Sequence, residues 1–250
     1  MAWAGPATSS RTLEGLFKNR PKTEPGRAFA VGILSTYPSA QCGAATFAAS
    51  LAGALVAGMP RMSVDVLGLL SNHSSASMPH DDSHEPPPGT VMNGREAAHE
   101  LNKFDVVVIQ HEQGVPDEEE AEELLDIMDR LLAPVVLAVL TVLSEPTAHQ
   151  RYVLEMLTLS ADAVVTTDQS AQRRLLDGYR VEPQRLMLIP HGAPPTAGIA
   201  PVDAAMPAHN ATSCTRVSWP AVAGEYRRVF DAVTRRAPAP IQIGPFHGFV

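Results

Sequence analysis

His111 and Glu112 stand together where an apolar run ends, in FDVVVIQHEQG (104–114). An imidazole donates or accepts a hydrogen bond and exchanges a proton near neutral pH, and a carboxylate accepts several bonds. Side by side they suit the orientation of ligand hydroxyls, with Gly114 opening the turn behind them. The same groups also suit bonds to their own loop backbone, and both readings stay open. Cys42–Gly43 offers a different chemistry. It lies between an apolar run and a helical segment, where glycine lets the backbone approach a ligand and the first helical N–H groups can face an anion. An ordinary tight turn would use the same pair. Without a full G-x-G-x-x-G it does not indicate a dinucleotide.

Further along, LAVLTVLSEPTAHQ (137–150) presents Thr141, Glu145 and His149. Contact with ligand hydroxyls is one use of these side chains. Helix capping by Ser144 or Thr147 is the competing use of the segment. His191–Gly192 closes the last apolar run as a hinge or as the start of a linker. His73, His80, Asp81, Asp82, His84 and Glu85 are metal-capable, but their Ser- and Pro-rich surroundings read as a solvated loop, so no metal site is expected. There is no G-x-S-x-G elbow, no Walker A loop and no paired CxxC.

The elements that must hold these residues alternate regularly from Ala28. AFAVGILS (28–35), MSVDVLGLL (62–70), FDVVVIQ (104–110), PVVLAVL (134–140), ADAVVTT (161–167) and RLMLIP (185–190) are short, apolar and bounded by breakers. Strands that are apolar throughout are buried on both faces, as in a parallel sheet covered by helices. Between them lie helical segments at 44–58, 94–103, 117–132, 146–160 and 168–178. The expected fold is therefore α/β: a three-layer, Rossmann-like domain with a mainly parallel sheet of six strands. A carboxylate-rich start at Asp117–Glu120 complements a helix dipole, and Asp168 is placed to N-cap the helix after it. The expected boundaries are a flexible extension at 1–27, the α/β domain at 28–192, a linker at 193–217, a docking helix at 218–236 and a tail at 237–250.

Composition limits the function classes. The 250 residues carry a net charge of −8, with 45% hydrophobic and 18% charged residues. That suits a globular core and disfavours nucleic acid, which needs a basic face. The two cysteines, Cys42 and Cys214, make no disulfide framework, so a reducing cytoplasm is expected. No apolar run is long enough to span a membrane; peripheral contact with one stays open.

Taken in order, LSTYPSAQCGAATF (34–47), FDVVVIQHEQG (104–114), PVVLAVLTVLSEPTAHQRYVL (134–154), ADAVVTT (161–167) and RLMLIPHG (185–192) resemble the family 4 glycosyltransferases of GT-B architecture. The resemblance spans residues 28–192. It implies the acceptor half of a retaining, metal-independent hexosyltransferase. No resident cofactor is implied, only a nucleotide sugar as donor substrate and a sugar or glycolipid as acceptor. Cys42, Gly43, His111, Glu112, Gly114, Thr141, Glu145 and His149 would then line the acceptor-side cleft, and His191–Gly192 would be the hinge. SWPAVAGEYRRVFDAV resembles the helix that returns onto the first domain. Between IPHG and SWPA, however, relatives carry a whole donor domain, and here only residues 193–217 intervene.

Two departures stand out. Gln113 occupies the position of a usual aromatic. Leu140 occupies that of the family's catalytic histidine, and losing such a contact slows transfer by on the order of 100- to 1000-fold. The expectation is an impaired or inactive transferase. A separate donor-domain chain would be the partner that complements the transferase. The alternative is a non-catalytic binding or assembly module, working with a partner or as a homodimer.

Overall fold

Seven strands lie side by side in one wholly parallel sheet, in the order β3-β2-β1-β4-β5-β6-β7. The computed structural model describes residues 27–35, 43–69, 90–92, 94–113, 118–193 and 217–235. The strands are β1 (Phe29–Ser35), β2 (Met62–Leu69), β3 (Thr90–Met92), β4 (Val106–Glu112), β5 (Val135–Thr141), β6 (Ala163–Thr166) and β7 (Leu186–Leu188). All six expected strands are present. The addition is β3, a three-residue edge strand too short to register as an apolar run. The helices are α1 (Gly43–Gly58), α2 (Gly94–Leu101), α3 (Glu118–Arg130), α4 (Ala148–Ser160), α5 (Gln169–Gly178) and α6 (Trp219–Arg235).

The helices divide between the two faces. Phe47, Leu51 and Leu55 of α1 pack with Val222, Tyr226 and Phe230 of α6 on Val31, Ile33, Val106, Val108, Val136, Ala138 and Val165. Helices α2, α3, α4 and α5 cover the other face, on Leu34, Leu67, Val107, Ile109, Leu137, Val139 and Val164. Strand side chains alternate between faces with period two, so odd and even positions separate cleanly. Burial on both sides is why the inner strands β1, β4, β5 and β6 are apolar along nearly their whole length, while β2, nearer the edge, exposes Ser63 and Asp65.

Polar anchors set the amino ends of the strands. Asp105, nearly buried, accepts from the Ala30 backbone N–H at 2.8 Å and pairs with Arg27. Asp162 accepts from the Val135 N–H at 2.9 Å. Asn102 accepts from the Leu132 N–H at 2.6 Å and donates to the Arg130 carbonyl at 2.9 Å, bracing the turn into β5. Glycine is required where elements approach most closely. A Cβ on Gly32 would lie 2.6 Å from the Phe104 ring, and one on Gly192 would lie 2.4 Å from the Trp219 ring.

The expected linker is paired at both ends. Gly192–Ala193 (β8) forms a short parallel ladder with Val217–Ser218 (β9). Ser218, expected to begin the docking helix, belongs to that ladder, and the helix begins at Trp219. The segment 194–216 thus leaves and re-enters the domain at one place. Residues 1–26 and 236–250 lie outside the described residues, as does the histidine-bearing loop at 73–85. Among the described residues, no helix is long and apolar enough to cross a membrane.

Candidate functional site

In a doubly wound sheet the connections leave adjacent strands toward opposite faces at one point, and a crevice opens at the carboxyl ends there. In this chain that point falls between β1 and β4. The chain after β1 enters α1 on one face, and the chain after β4 enters α3 on the other. The residues that close these strands are therefore the candidates. Ser35 ends β1, Gln110, His111 and Glu112 end β4, Thr141 ends β5, and Thr166 ends β6.

Strand β4 runs two residues further than its apolar run. His111 and Glu112 are its last residues and not part of the following loop. His111 points to the α2–α5 face, is 2% exposed, and its Nδ1 has no hydrogen-bond partner. Burial disfavours the charged imidazolium and lowers its pKa from 6.5 to about 4, so the ring is neutral at physiological pH. The ladder to β5 shifts just beyond it. His111 pairs with Val139, Glu112 pairs with Thr141, and Leu140 is skipped. A bulge of this kind re-aims side chains at a strand's end. Here it leaves Leu140 against the apolar cluster under α1 and α6, while Thr141 Oγ1 lies 3.4 Å from Glu112 Oε1, a long donor contact.

Gln113 is a structural brace. It is buried and accepts at Oε1 from the Leu143 N–H at 2.8 Å. Its Nε2 donates to the Gln150 carbonyl at 3.1 Å and to Tyr179 Oη at 3.0 Å. One side chain thereby ties the end of β4 to the β5–α4 connection, to α4 and to the end of α5. Arg174 Nη1 adds a bond to the Val142 carbonyl at 2.8 Å. Replacing Gln113 by alanine removes three bonds worth about 1 kcal/mol each and leaves the part-buried Leu143 N–H without its partner, so a loss of about 2–4 kcal/mol is expected. Chemical denaturation measures it.

The remaining candidates scatter. Glu145 is exposed. Thr147 is the N-cap of α4 in a reciprocal capping box with Gln150, so capping falls to Thr147 and not to Ser144. His149, half-buried in the first turn of α4, holds an Nε2 with no partner. Asp168 caps α5 through the Ser170 and Ala171 N–H groups. The His191 ring packs edge-on to Phe47 and Trp219, at 5.1 and 5.4 Å between centroids, beside the β8–β9 ladder. Gly43 starts α1, while Cys42 and Gly114 lie outside the described residues. Among the described residues, no three His, Cys, Asp or Glu side chains are grouped to hold a metal ion.

Three site residues went unnoticed in the sequence: Ser35, Gln110 and Thr166. They are 4%, 1% and 0% exposed, and their side-chain polar atoms have no partner. The available signal was a polar residue closing an otherwise apolar strand, as Gln110 does in VVVIQ. With His111 they place neutral donors and acceptors at the carboxyl ends of β1, β4 and β6, Ser35 and Gln110 on the face of α1 and α6, His111 and Thr166 on the other. None of the seven strands of the sheet ends in lysine or arginine.

The topology defines a doubly wound, Rossmann-like α/β domain with unpartnered polar side chains at the carboxyl ends of its strands. No family model matches the chain, and no curated protein matches it. Among solved structures it is similar to a sucrose-phosphate synthase chain from Thermosynechococcus elongatus, at 11% identity and a TM-score of 0.47, covering 81% of this chain and 98% of that one. It is also similar to an alpha-glucosyltransferase in complex with UDP and a 13-mer DNA, at 12% identity and a TM-score of 0.49, covering 66% and 43%. A further alpha-glucosyltransferase in complex with UDP aligns at 13% and 0.42, covering 56% and 35%. The chain thus spans nearly all of the first chain and less than half of the two glucosyltransferases. At these identities and scores the likeness reaches no further than the fold.

Proposed function

We propose that this chain is a sugar-binding module built on the acceptor half of a GT-B-type glycosyltransferase, with negligible transfer activity by itself. The observation that carries the proposal is the pair at the switch point, where Ser35 and Gln110 hold buried, neutral hydrogen-bonding groups without partners on one face of the sheet, with His111 likewise unpartnered on the other. Buried polar groups are nearly always satisfied in folded proteins, so a cluster of exceptions at a ligand-binding position calls for a polar occupant. Uncharged donors and acceptors suit hydroxyls. A nucleotide diphosphate would call for cations; no strand of the sheet ends in one, and Arg174, beside the end of β5, is already bonded to the Val142 carbonyl.

Two further features fit this reading. The β8–β9 ladder brings the ends of segment 194–216 together, the arrangement that suits insertion or loss of a domain. Leu140 faces the apolar cluster and can neither exchange a proton nor donate a hydrogen bond to a reacting sugar.

Transfer and hydrolysis of nucleotide sugars by the purified chain are expected at background, and Leu140→His is expected not to raise them. Titration calorimetry with UDP- and GDP-sugars is expected to show weak binding or none. Micromolar binding, or turnover by the wild type, overturns the proposal. A second reading, an assembly module, is favoured by α1, which has no charged residue and exposes Ala49, Gly53 and Val56. Light scattering that finds a stable homodimer would favour it.

A further inference from the structure

We propose that Ser35 and Gln110 form a buried pair that reads two adjacent hydroxyls of a neutral polyol. This deepens the sugar-binding reading and rests on it. The two residues belong to neighbouring strands and are direct register partners across the β1–β4 ladder. Those are the strands that flank the switch point, where this fold opens its crevice. Both continue the positions that face α1 and α6, Ser35 after Val31 and Ile33, Gln110 after Val106 and Val108. They therefore present their polar groups to one side of the sheet, next to each other.

Ser35 Oγ, Gln110 Oε1 and Gln110 Nε2 are all buried, and none has a hydrogen-bond partner. An amide offers two donors and an acceptor, and a hydroxyl offers a donor and two acceptors. Two neighbouring hydroxyls complement that set. The register row brings no charge and only small or apolar neighbours: Gly68 lies beside Ser35, Ala138 beside Gln110, and Val165 beyond Ala138. The first turn of α1 brings no acidic residue. An ionised ligand group would thus meet no counter-charge from the row, while a neutral diol exchanges its bonds to water for bonds to this pair.

An unsatisfied buried amide burdens the unliganded fold, so an apolar residue of similar length should stabilise it and destroy recognition together. The test uses the full chain, with Gln110→Met and Ser35→Ala as variants. Glucose, mannose, galactose and their 2-deoxy analogues are the ligands. Calorimetry and saturation-transfer NMR read binding, and thermal unfolding reads stability. The expected result is that the wild type binds at least one parent sugar. Either substitution, or removal of a hydroxyl from that sugar, should weaken binding at least tenfold. Without sugar, Gln110→Met should unfold about 2–6 °C above the wild type. Equal sugar affinity in wild type and variants overturns the pair's role and leaves the sugar-binding reading standing. No binding of any parent sugar by the wild type overturns both. A Gln110→Met variant that unfolds well below the wild type also overturns the pair, because its amide would then be satisfied internally, by water or protein.

Discussion

A chain ended at residue 216 is expected not to fold as a soluble monomer. Helix α6 inserts Val222, Ala223, Tyr226, Val229, Phe230 and Val233 into the core, each at most 3% exposed. Phe230 stacks near Phe29 at 6.4 Å and near Tyr226 at 6.0 Å between centroids, and Tyr226 meets Phe47 at 6.5 Å. Burying one large apolar side chain stabilises by about 1.5–3 kcal/mol. Losing several together exceeds the total stability of an ordinary domain, about 5–15 kcal/mol. It would also leave Val31, Ile33, Val108 and Val165 without their cover. Phe230→Ala alone is expected to cost about 3–5 kcal/mol. Solubility and circular dichroism check the truncation, and denaturant titration checks the substitution. A truncated chain that stays monomeric with a cooperative transition would mean that α1 alone covers this face.

Acid is expected to destabilise the protein through His111. Its folded pKa, about 4, lies below the unfolded value of 6.5 because burial penalises the charged ring. Below pH 6.5 the unfolded chain takes up a proton that the folded one resists. The stability from the neutral ring is therefore complete above pH 6.5 and declines as pH falls toward 4. The shift corresponds to about 3 kcal/mol across that window. Carboxylates also titrate there, so the measurement is the difference between wild type and His111→Gln in unfolding free energy from pH 7 to pH 4. The wild type is expected to lose about 3 kcal/mol more than the variant. Parallel curves would place the imidazole in contact with water or with a hydrogen-bond acceptor.

The strands show how far sequence reading reached. A strand buried on both faces must be apolar at every position, so VVVIQ, VVLAVL and AVVTT announced themselves. Strand β3 did not, because three residues carry too little pattern. Asp168 was legible as a helix cap because capping is local chemistry within one turn. Gln113 was not legible as a brace, because Leu143, Gln150 and Tyr179 reach it only through the fold. The shift that passes over Leu140 was hidden for the same reason, since register is a relation between strands.

The sequence by itself determined the kinds of element and their order, because the hydrophobic period of each segment follows from whether it is covered on one side or both. It also determined that polar residues gather where the strands end. Only the tertiary structure decided where the sheet reverses, which helices lie on each face, and that Gln110 meets Ser35 on one side while His111 turns to the other. Those outcomes depend on contacts between residues far apart in the chain, and no local pattern encodes which strands become neighbours.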